Sequence, residues 1–582
     1  MEIRRAERIV LLVASLIYLG CMVSPPSLMD DVDAVQAQIA RNMLESGDWV
    51  TARLDGVAYL EKSPLIYWLM AASFAIFGVH DWAARIPVAL SAIGLAWLVF
   101  RFALWGFGCA QTAMRAGLIV ASCIGLFLFT RIQIPDVTLT LTIALALWGF
   151  IRALEKDEPR PRFWIYLAYA AVGTGLLLKG LIAVLFPVAA AGLFLIFSGR
   201  FFDKTAWARI RPVSGTLLAL AIAAPWHIAA TLANPPYLDF TFRSTPGEYR
   251  GFFWFYFMNE HVLRFLNMRH PRDYNTVPRY LFWLFHLLWL FPWSAWFGGL
   301  WGLSYREDSR AGRLRLLCLC WVGFILVFFT FSTTQEYYSM PCYPALAMLL
   351  ACAMMRENKA SRWALAVVTA AALLAIIGIL VHVAGLPTPG DISSALSSNP
   401  DAYTLSLGHM EDLTISSFAY LRPPLVLAGI AFAVGLFAAV RRSAIGLAAM
   451  MVLFLHAARL ALVTFDPYLA SRPLAEALHA APEGTLIVDN QYYTFSSVFF
   501  YTNRTALLWN GRVNNLEYGS YAPGAPQVFI DNDGFAQRWS SGGRFYLCVE
   551  KPQMERVKTA TGGKFQVVKE SGGKFLLTNQ PL

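Results

Sequence analysis

Thirteen apolar runs, each 16 to 24 residues long, dominate this chain, and runs of that length are matched to about 30 Å of bilayer hydrocarbon. They lie near residues 7–24, 83–104, 112–130, 136–153, 162–178, 181–197, 212–229, 280–301, 315–331, 339–354, 362–385, 421–440 and 443–461. With 57% hydrophobic against 14% charged residues and a mean hydropathy of +0.51, the chain reads as a polytopic α-helical membrane protein. The first run follows Arg4, Arg5 and Arg8 as a signal peptide would, but ends in Ser-Pro-Pro rather than a small-residue cleavage site. It reads as a retained first helix.

The net charge of +10 needs no nucleic acid, because the basic residues concentrate in short turns between apolar runs, as cytoplasmic loops do. Placing Arg4 to Arg8 inside also puts Arg200 with Lys204, Arg306 with Arg310 and Arg313, Arg356 with Lys359, and Arg441 with Arg442 inside. The N-terminus is then cytoplasmic and the C-terminus external. Leu65–Phe77 is apolar but short, and is expected as a partial or interfacial helix begun by Lys62-Ser63-Pro64. External segments follow at 25–64, 230–279 and 386–420.

From about Leu462 the pattern changes to short β-type runs (Thr485 to Val488, Gln527 to Ile530, Arg544 to Val549, Phe575 to Leu577) and a helix-like stretch around Leu474 to Ala481. The expected division is a membrane part over 1–461 and an external α/β domain over 462–582. The eight cysteines have no CxxC or zinc spacing, and Cys21, Cys109, Cys123, Cys318, Cys320, Cys342 and Cys352 read as small hydrophobes in apolar stretches.

Charge at the membrane boundary is costly and is retained where it serves chemistry or transport. Asp30, Asp31 and Asp33 come directly after the first span, before an amphipathic stretch over Ala34 to Leu44 expected to lie on the membrane. One acid suffices to cap that helix, so three point to a base or a metal-binding group. Arg53, Tyr59, Glu61 and Lys62 follow, with Arg53 or Lys62 suited to a phosphate and Glu61 to a divalent ion or to orienting Lys62. Arg131 and Asp136 flank the junction RIQIPD, and Lys179-Gly180 interrupts an apolar hairpin on the same external side. Glu260, His261, Arg264, Arg269 and His270 sit among aromatics, too closely spaced for an HExxH site, and Glu336, Tyr337 and Tyr338 form another polar cluster. No G-x-x-x-x-G-K-[ST] loop is present, so no nucleotide is called for.

The stretch IARNMLESGDWVTARLDGVAYLEKSPLIYW resembles a signature of bacterial membrane glycosyltransferases related to protein O-mannosyltransferases, most closely the lipid A aminoarabinose transferase group. GVHDWAARIP, RIQIPDVTL, LLLKG, NEHVLRFL and YYSMPCYPAL are similar to further landmarks. The resemblance implies a C-type glycosyltransferase fold in the bacterial inner membrane, about 13 transmembrane helices, a periplasmic α/β domain and a periplasmic active site. It implies a polyprenyl-phosphate-linked sugar donor and a cell-envelope acceptor. By motif position the catalytic acid falls among Asp30, Asp31 and Asp33, with Asp136 a second acidic landmark. Glu61 and His261 match metal contacts (Zn or Mg), and Lys62 matches a donor-phosphate contact. Arg53, Arg131, Lys179, Tyr59 and Tyr338 complete the expected donor-phosphate side. The chain departs from the signature at Ser63, in place of the first proline of EKPP, and at Gln335. The alternative for a charged membrane cavity is a transporter or flippase of the same polyprenyl-linked sugar.

Overall fold

The computed structural model describes residues 1–20, 22–271, 277–332, 334–356, 359–397 and 408–582. The first helices in chain order are α1 (Ile3–Tyr18), α2 (Val32–Ser46), α3 (Leu65–Phe77), α4 (Asp81–Phe107), α5 (Ala110–Ser122), α6 (Ile124–Phe129), α7 (Asp136–Leu154), α8 (Pro161–Lys179), α9 (Ile182–Phe197), α10 (Lys204–Ile210) and α11 (Pro212–Ala233). Small residues let them pack at backbone distance. A Cβ on Gly149 would stand 2.5 Å from the Trp164 carbonyl oxygen, and one on Gly173 2.8 Å from that of Ala219. The glycines thereby set the α7–α8 and α8–α11 contacts.

Among the described residues eight helices are long and apolar enough to cross a bilayer, or nine if one bent pair counts as a crossing. The expected count of thirteen is not met on those criteria, for physical reasons visible in the chain. The run near 280–301 folds as two helices, Arg279–Trp289 and Trp293–Gly302, bent by 106° around Pro292, whose ring cannot continue the helix before it. The run near 112–130 breaks at Cys123 into α5 and α6. Helices α1 and α9 are 16 residues long, and α3 at 13 is the short apolar helix expected.

Basic residues expected on one side do share one end of the membrane body. Arg310 pairs with Asp157, Arg313 binds Glu155 at 2.8 Å, Arg200 reaches the Leu154 carbonyl at 3.4 Å, and Arg356 meets the Gly302 carbonyl. The other end carries the α/β domain.

That domain holds a six-stranded sheet in the order β5-β4-β3-β6-β8-β7. A two-residue hairpin, β1 (Arg53–Leu54) with β2 (Val57–Ala58), precedes it in the chain. The sheet strands are β3 (Thr485–Asp489), β4 (Ala506–Trp509), β5 (Phe529–Ile530), β6 (Phe545–Glu550), β7 (Gln566–Ser571) and β8 (Lys574–Thr578). The first four are parallel, and the β7–β8 hairpin closes one edge antiparallel to β6. Strands β4 and β7 were not expected from the pattern, and the run at 527–530 keeps only its last two residues as strand.

Helix α2 does not lie on a membrane surface: residues 33–40 are all buried, between α3 and the α/β domain. Its apolar residues occupy every face, so burial on all sides is the stable solution. Gln38 bonds Asn503 at 3.2 Å and Arg41 the Phe500 carbonyl at 2.9 Å. Of the cysteines, Cys123, Cys318, Cys320 and Cys342 are buried, Cys109 and Cys352 are half-buried, and Cys21 lies outside the described residues.

Candidate active site

The three N-terminal aspartates have three different environments. Both oxygens of Asp30 are saturated by the α/β domain, accepting from Ser497 N–H at 2.8 Å, Ser497 Oγ at 2.7 Å, Ser471 Oγ at 2.5 Å and Lys574 Nζ at 2.6 Å. Asp33 is buried and accepts from the backbone N–H groups of Met29 at 3.0 Å and Gln133 at 3.2 Å, which ties α2 to the α6–α7 junction. Burial pushes its carboxyl up, against the pull of Arg85. Asp31 alone remains exposed, and no side chain among the described residues donates to its carboxylate. Neighbouring protein atoms nevertheless crowd its carboxyl. That crowding, with Asp30 beside it, pushes Asp31 up to about 6 despite Lys574.

A second group gathers where α3, α7 and α8 end. Glu61 accepts from Tyr59 at 3.2 Å and Asn515 at 3.0 Å. Lys179, the last residue of α8, pairs at 2.5 Å with Asp136, the first of α7, and stands 4.9 and 5.1 Å from the ring centres of Tyr337 and Tyr338. The second oxygen of Asp136 has no hydrogen-bond partner among the described residues. Residues Trp254–Leu263 form a π-helix, a rare geometry frequent at functional sites. It supplies Glu260, bound by Arg269 at 2.6 Å and Arg264 at 3.1 Å; Arg264 also reaches Tyr338 at 3.0 Å. Burial opposes ionisation of Glu260, yet Arg269, Arg264 and Lys62 together hold it below the usual carboxylate range. Glu61, more weakly compensated, is pushed up by burial and by Glu260.

Lys62 makes no hydrogen bond or ion pair among the described residues. It lines a small open recess with Tyr59, Tyr67, Trp226, Asn234 and Phe252. Ser63, the departure from EKPP, bonds the Leu176 carbonyl at 2.9 Å and the Tyr256 hydroxyl, fixing the lysine's segment against α8 and the π-helix. Gly180 completes this contact: at φ +72° a Cβ would stand 2.3 Å from His261 Nε2.

Two expected contacts lie elsewhere. Arg53 stays on the exposed hairpin, 3.6 Å from Asp48 and bonded to the Gly56 carbonyl, and Arg131 folds back on the Phe127 carbonyl and ring. The expected metal contacts are engaged by protein groups in this structure, Glu61 by Tyr59 and Asn515. His261 Nδ1 faces the Tyr256 carbonyl at 2.6 Å and Nε2 accepts from Leu181 N–H at 3.2 Å, leaving the ring no lone pair to offer. Among the described residues no group of three His, Cys, Asp or Glu is placed to hold an ion.

The aspartate group and the cationic group are joined by Tyr493 of the α/β domain. Its carbonyl accepts from Asp31 N–H at 2.9 Å, and its hydroxyl donates to Tyr59 at 3.1 Å, which in turn bonds Glu61. Tyr493, Asn515, Ser471, Ser497 and Lys574 carry no motif in the sequence, and they are 434 or more residues from the partners they meet.

Fold and site together define a multi-pass membrane protein with a cluster of charged residues, beside a largely apolar recess, at the end that carries the α/β domain. Residues 61–228 match the model of the dolichyl-phosphate-mannose-protein mannosyltransferase family. The chain is 31% identical over 333 residues to an undecaprenyl phosphate-α-4-amino-4-deoxy-L-arabinose arabinosyl transferase of Aeromonas salmonicida, covering 56% of each chain. It is 32% identical over 336 residues to one of Pseudomonas fluorescens, covering 55% of this chain and 51% of that one. The matched stretch thus spans about half the length of these relatives. The crystal structure of ArnT from Cupriavidus metallidurans bound to undecaprenyl phosphate superposes with a TM-score of 0.79 over 98% of this chain and 97% of that one, at 21% identity, a likeness of fold. Over the stretches matched, the chain is similar to these arabinosyl transferases and to the mannosyltransferase family model.

Proposed function

We propose that this protein is a glycosyltransferase of the bacterial inner membrane, which takes a sugar from a polyprenyl-phosphate-linked donor and passes it to a cell-envelope acceptor, lipid A foremost, at the periplasmic face. The observation that carries the reading is a pair of groups open to a ligand: among the described residues the Asp31 carboxylate has no side-chain donor and the Lys62 ammonium makes no hydrogen bond or direct ion pair, and one hydrogen-bonded network joins their segments. The undecaprenyl-phosphate-linked donor for which the similar arabinosyl transferases are named supports the same donor class.

In this reading Asp31 takes the proton of an acceptor hydroxyl as its oxygen bonds to the anomeric carbon. The bond from that carbon to the phosphate oxygen breaks, and its electrons leave with the polyprenyl phosphate, whose growing charge meets Lys62, with Lys179 and Arg264 behind it. One displacement inverts the anomeric centre. Apolar walls around a single cation suit a phosphate carrying a lipid tail. No step passes through a metal. The topology that goes with this function has thirteen crossings once short and broken helices are counted, a cytoplasmic N-terminus, a membrane part over 1–461 and a periplasmic domain over 462–582.

The test is transfer from labelled polyprenyl-phosphate sugars in membranes carrying wild-type protein or single Asp30→Asn, Asp31→Asn and Asp33→Asn variants. Label reaching an acceptor in wild type and lost in Asp31→Asn, with donor still bound, is the expected result. Normal turnover in Asp31→Asn overturns the assignment of the base, and donor crossing the bilayer without any transfer overturns the reaction class.

A further inference from the structure

Asp31 sits at φ 72°, ψ −140°, a region that a residue with a Cβ occupies only when its surroundings over-determine it. What holds it there is almost entirely the α/β domain. The N–H of Asp30 donates to the Leu469 carbonyl and that of Asp31 to the Tyr493 carbonyl, each at 2.9 Å, while the Asp31 carbonyl accepts from Ser496 Oγ at 3.0 Å. The side chain before the strained residue is clamped by four donors from Ser471, Ser497 and Lys574. Lys574 is itself fixed, donating to the Thr494 carbonyl at 2.8 Å and standing 5.3 Å from the Phe495 ring centre, and both members of the Asp30–Lys574 pair are nearly buried.

We infer that Lys574, gripping Asp30 together with Ser471 and Ser497, is a positioning residue for Asp31, so that the α/β domain sets the aim of the base rather than only roofing the site. This rests on the reading of Asp31 as that base. A carboxylate that is merely a domain fastener needs no strained neighbour; here the fastener and the strain are consecutive residues. Lys574 and Asp30 also act on Asp31 with opposite signs, the lysine drawing its carboxyl down and the aspartate pushing it up, while Asp33 is engaged with backbone N–H groups and Glu550 faces the Lys574 side of the clamp.

The test uses the full chain in membranes and measures kcat, donor KM and the acid limb of the pH profile. Lys574→Met is expected to lower kcat by about tenfold or more through misplacement of the base, leave donor KM unchanged, and move the acid limb to higher pH. Asp30→Asn also lowers kcat but moves the limb to lower pH, an opposition that a general loss of folding does not produce. Lys574→Arg, which keeps the charge, recovers most of the kcat. If Lys574→Met fails to accumulate, Ser497→Ala carries the same criterion, with a fall in kcat at constant KM. Wild-type kcat and an unmoved limb in whichever of these variants folds overturn the inference. Turnover surviving in Asp31→Asn instead overturns the underlying reading, so the two failures are distinguishable.

Discussion

The two ends of the membrane body treat buried charge in opposite ways. Away from the α/β domain every buried carboxylate has its cation: Glu155 is held by both ends of the Arg313 guanidinium at 2.8 Å, and Glu158 by Arg152 at 2.7 Å. Arg152 in turn lies against three tryptophans, 3.8 Å from the centre of Trp164 and further from Trp105 and Trp148. Under the α/β domain, by contrast, Lys62 makes no ion pair and one oxygen of Asp136 accepts no hydrogen bond among the described residues, while the exposed Asp31 carboxylate has only the backbone of its neighbour Val32. Both ends are charge-rich, so a tally of charges does not separate them. The difference is whether protein supplies the counter-charge, and an unbalanced charge in a low-dielectric setting is sustained where a ligand completes it.

Substitutions at the two ends sharpen that contrast. The largest expected effect is on turnover: Asp31→Asn lowers kcat by about 10²- to 10⁴-fold, the range of a lost general base, while donor retention on the protein is unchanged. At the paired end Glu155→Gln loses about 1–3 kcal/mol of stability, Arg313 keeping only its contact with the exposed Asp308, read as a lower unfolding temperature in detergent, with kcat per folded molecule at the wild-type value. A kcat that falls with Glu155→Gln would break the comparison. Lys62→Met raises donor KM by about tenfold to a hundredfold, the loss of a charge-assisted contact, and leaves the unfolding temperature intact because no protein partner is stranded. Gly180→Ala, placing a methyl at φ +72° against His261 and Tyr256, costs about 1–3 kcal/mol and weakens donor binding with it.

The smallest effect tests an unpaired acid beside the site. Asp55 accepts from the Ala506 N–H at 3.1 Å, but its other oxygen is buried without a hydrogen-bond partner among the described residues, and burial pushes its carboxyl up to about 7. The folded state then holds the Asp55 proton more tightly than the unfolded one, so stability declines as pH rises from about 4 to about 7. Asp55→Asn keeps the acceptor and abolishes the titration. Its unfolding temperature should match wild type near pH 4 and exceed it at pH 8.

How much of this could be read from the chain follows the range of the interaction. The short helix α3, the tail's change to strands, and the shared end of Arg200, Arg310 and Arg313 are written in local hydropathy and charge. The breaks at Cys123 and Pro292 are not, because an apolar run scores the same whether straight or bent. Within the aspartate cluster, spacing marked three candidates without separating them. Asp30 and Asp33 are withdrawn by partners at Lys574 and Gln133, 544 and 100 residues away, contacts that no local pattern carries. For the same reason Arg53 and Lys62, both basic and nine residues apart, look equivalent in sequence, yet only Lys62 reaches the recess.

The clamp on Asp30 also orders the making of the protein in time. Its donors come from Ser471, Ser497 and Lys574, so during synthesis the membrane body is inserted long before β8 exists. Until that strand has emerged and paired with β6, the Asp30 carboxylate lacks Lys574, the charged donor of its clamp, and is held by Ser471 and Ser497 alone. A chain halted with its last membrane helix inserted but before β8 therefore holds Asp30 without its cation, and the clamp is completed as a late event of translation rather than as a by-product of insertion.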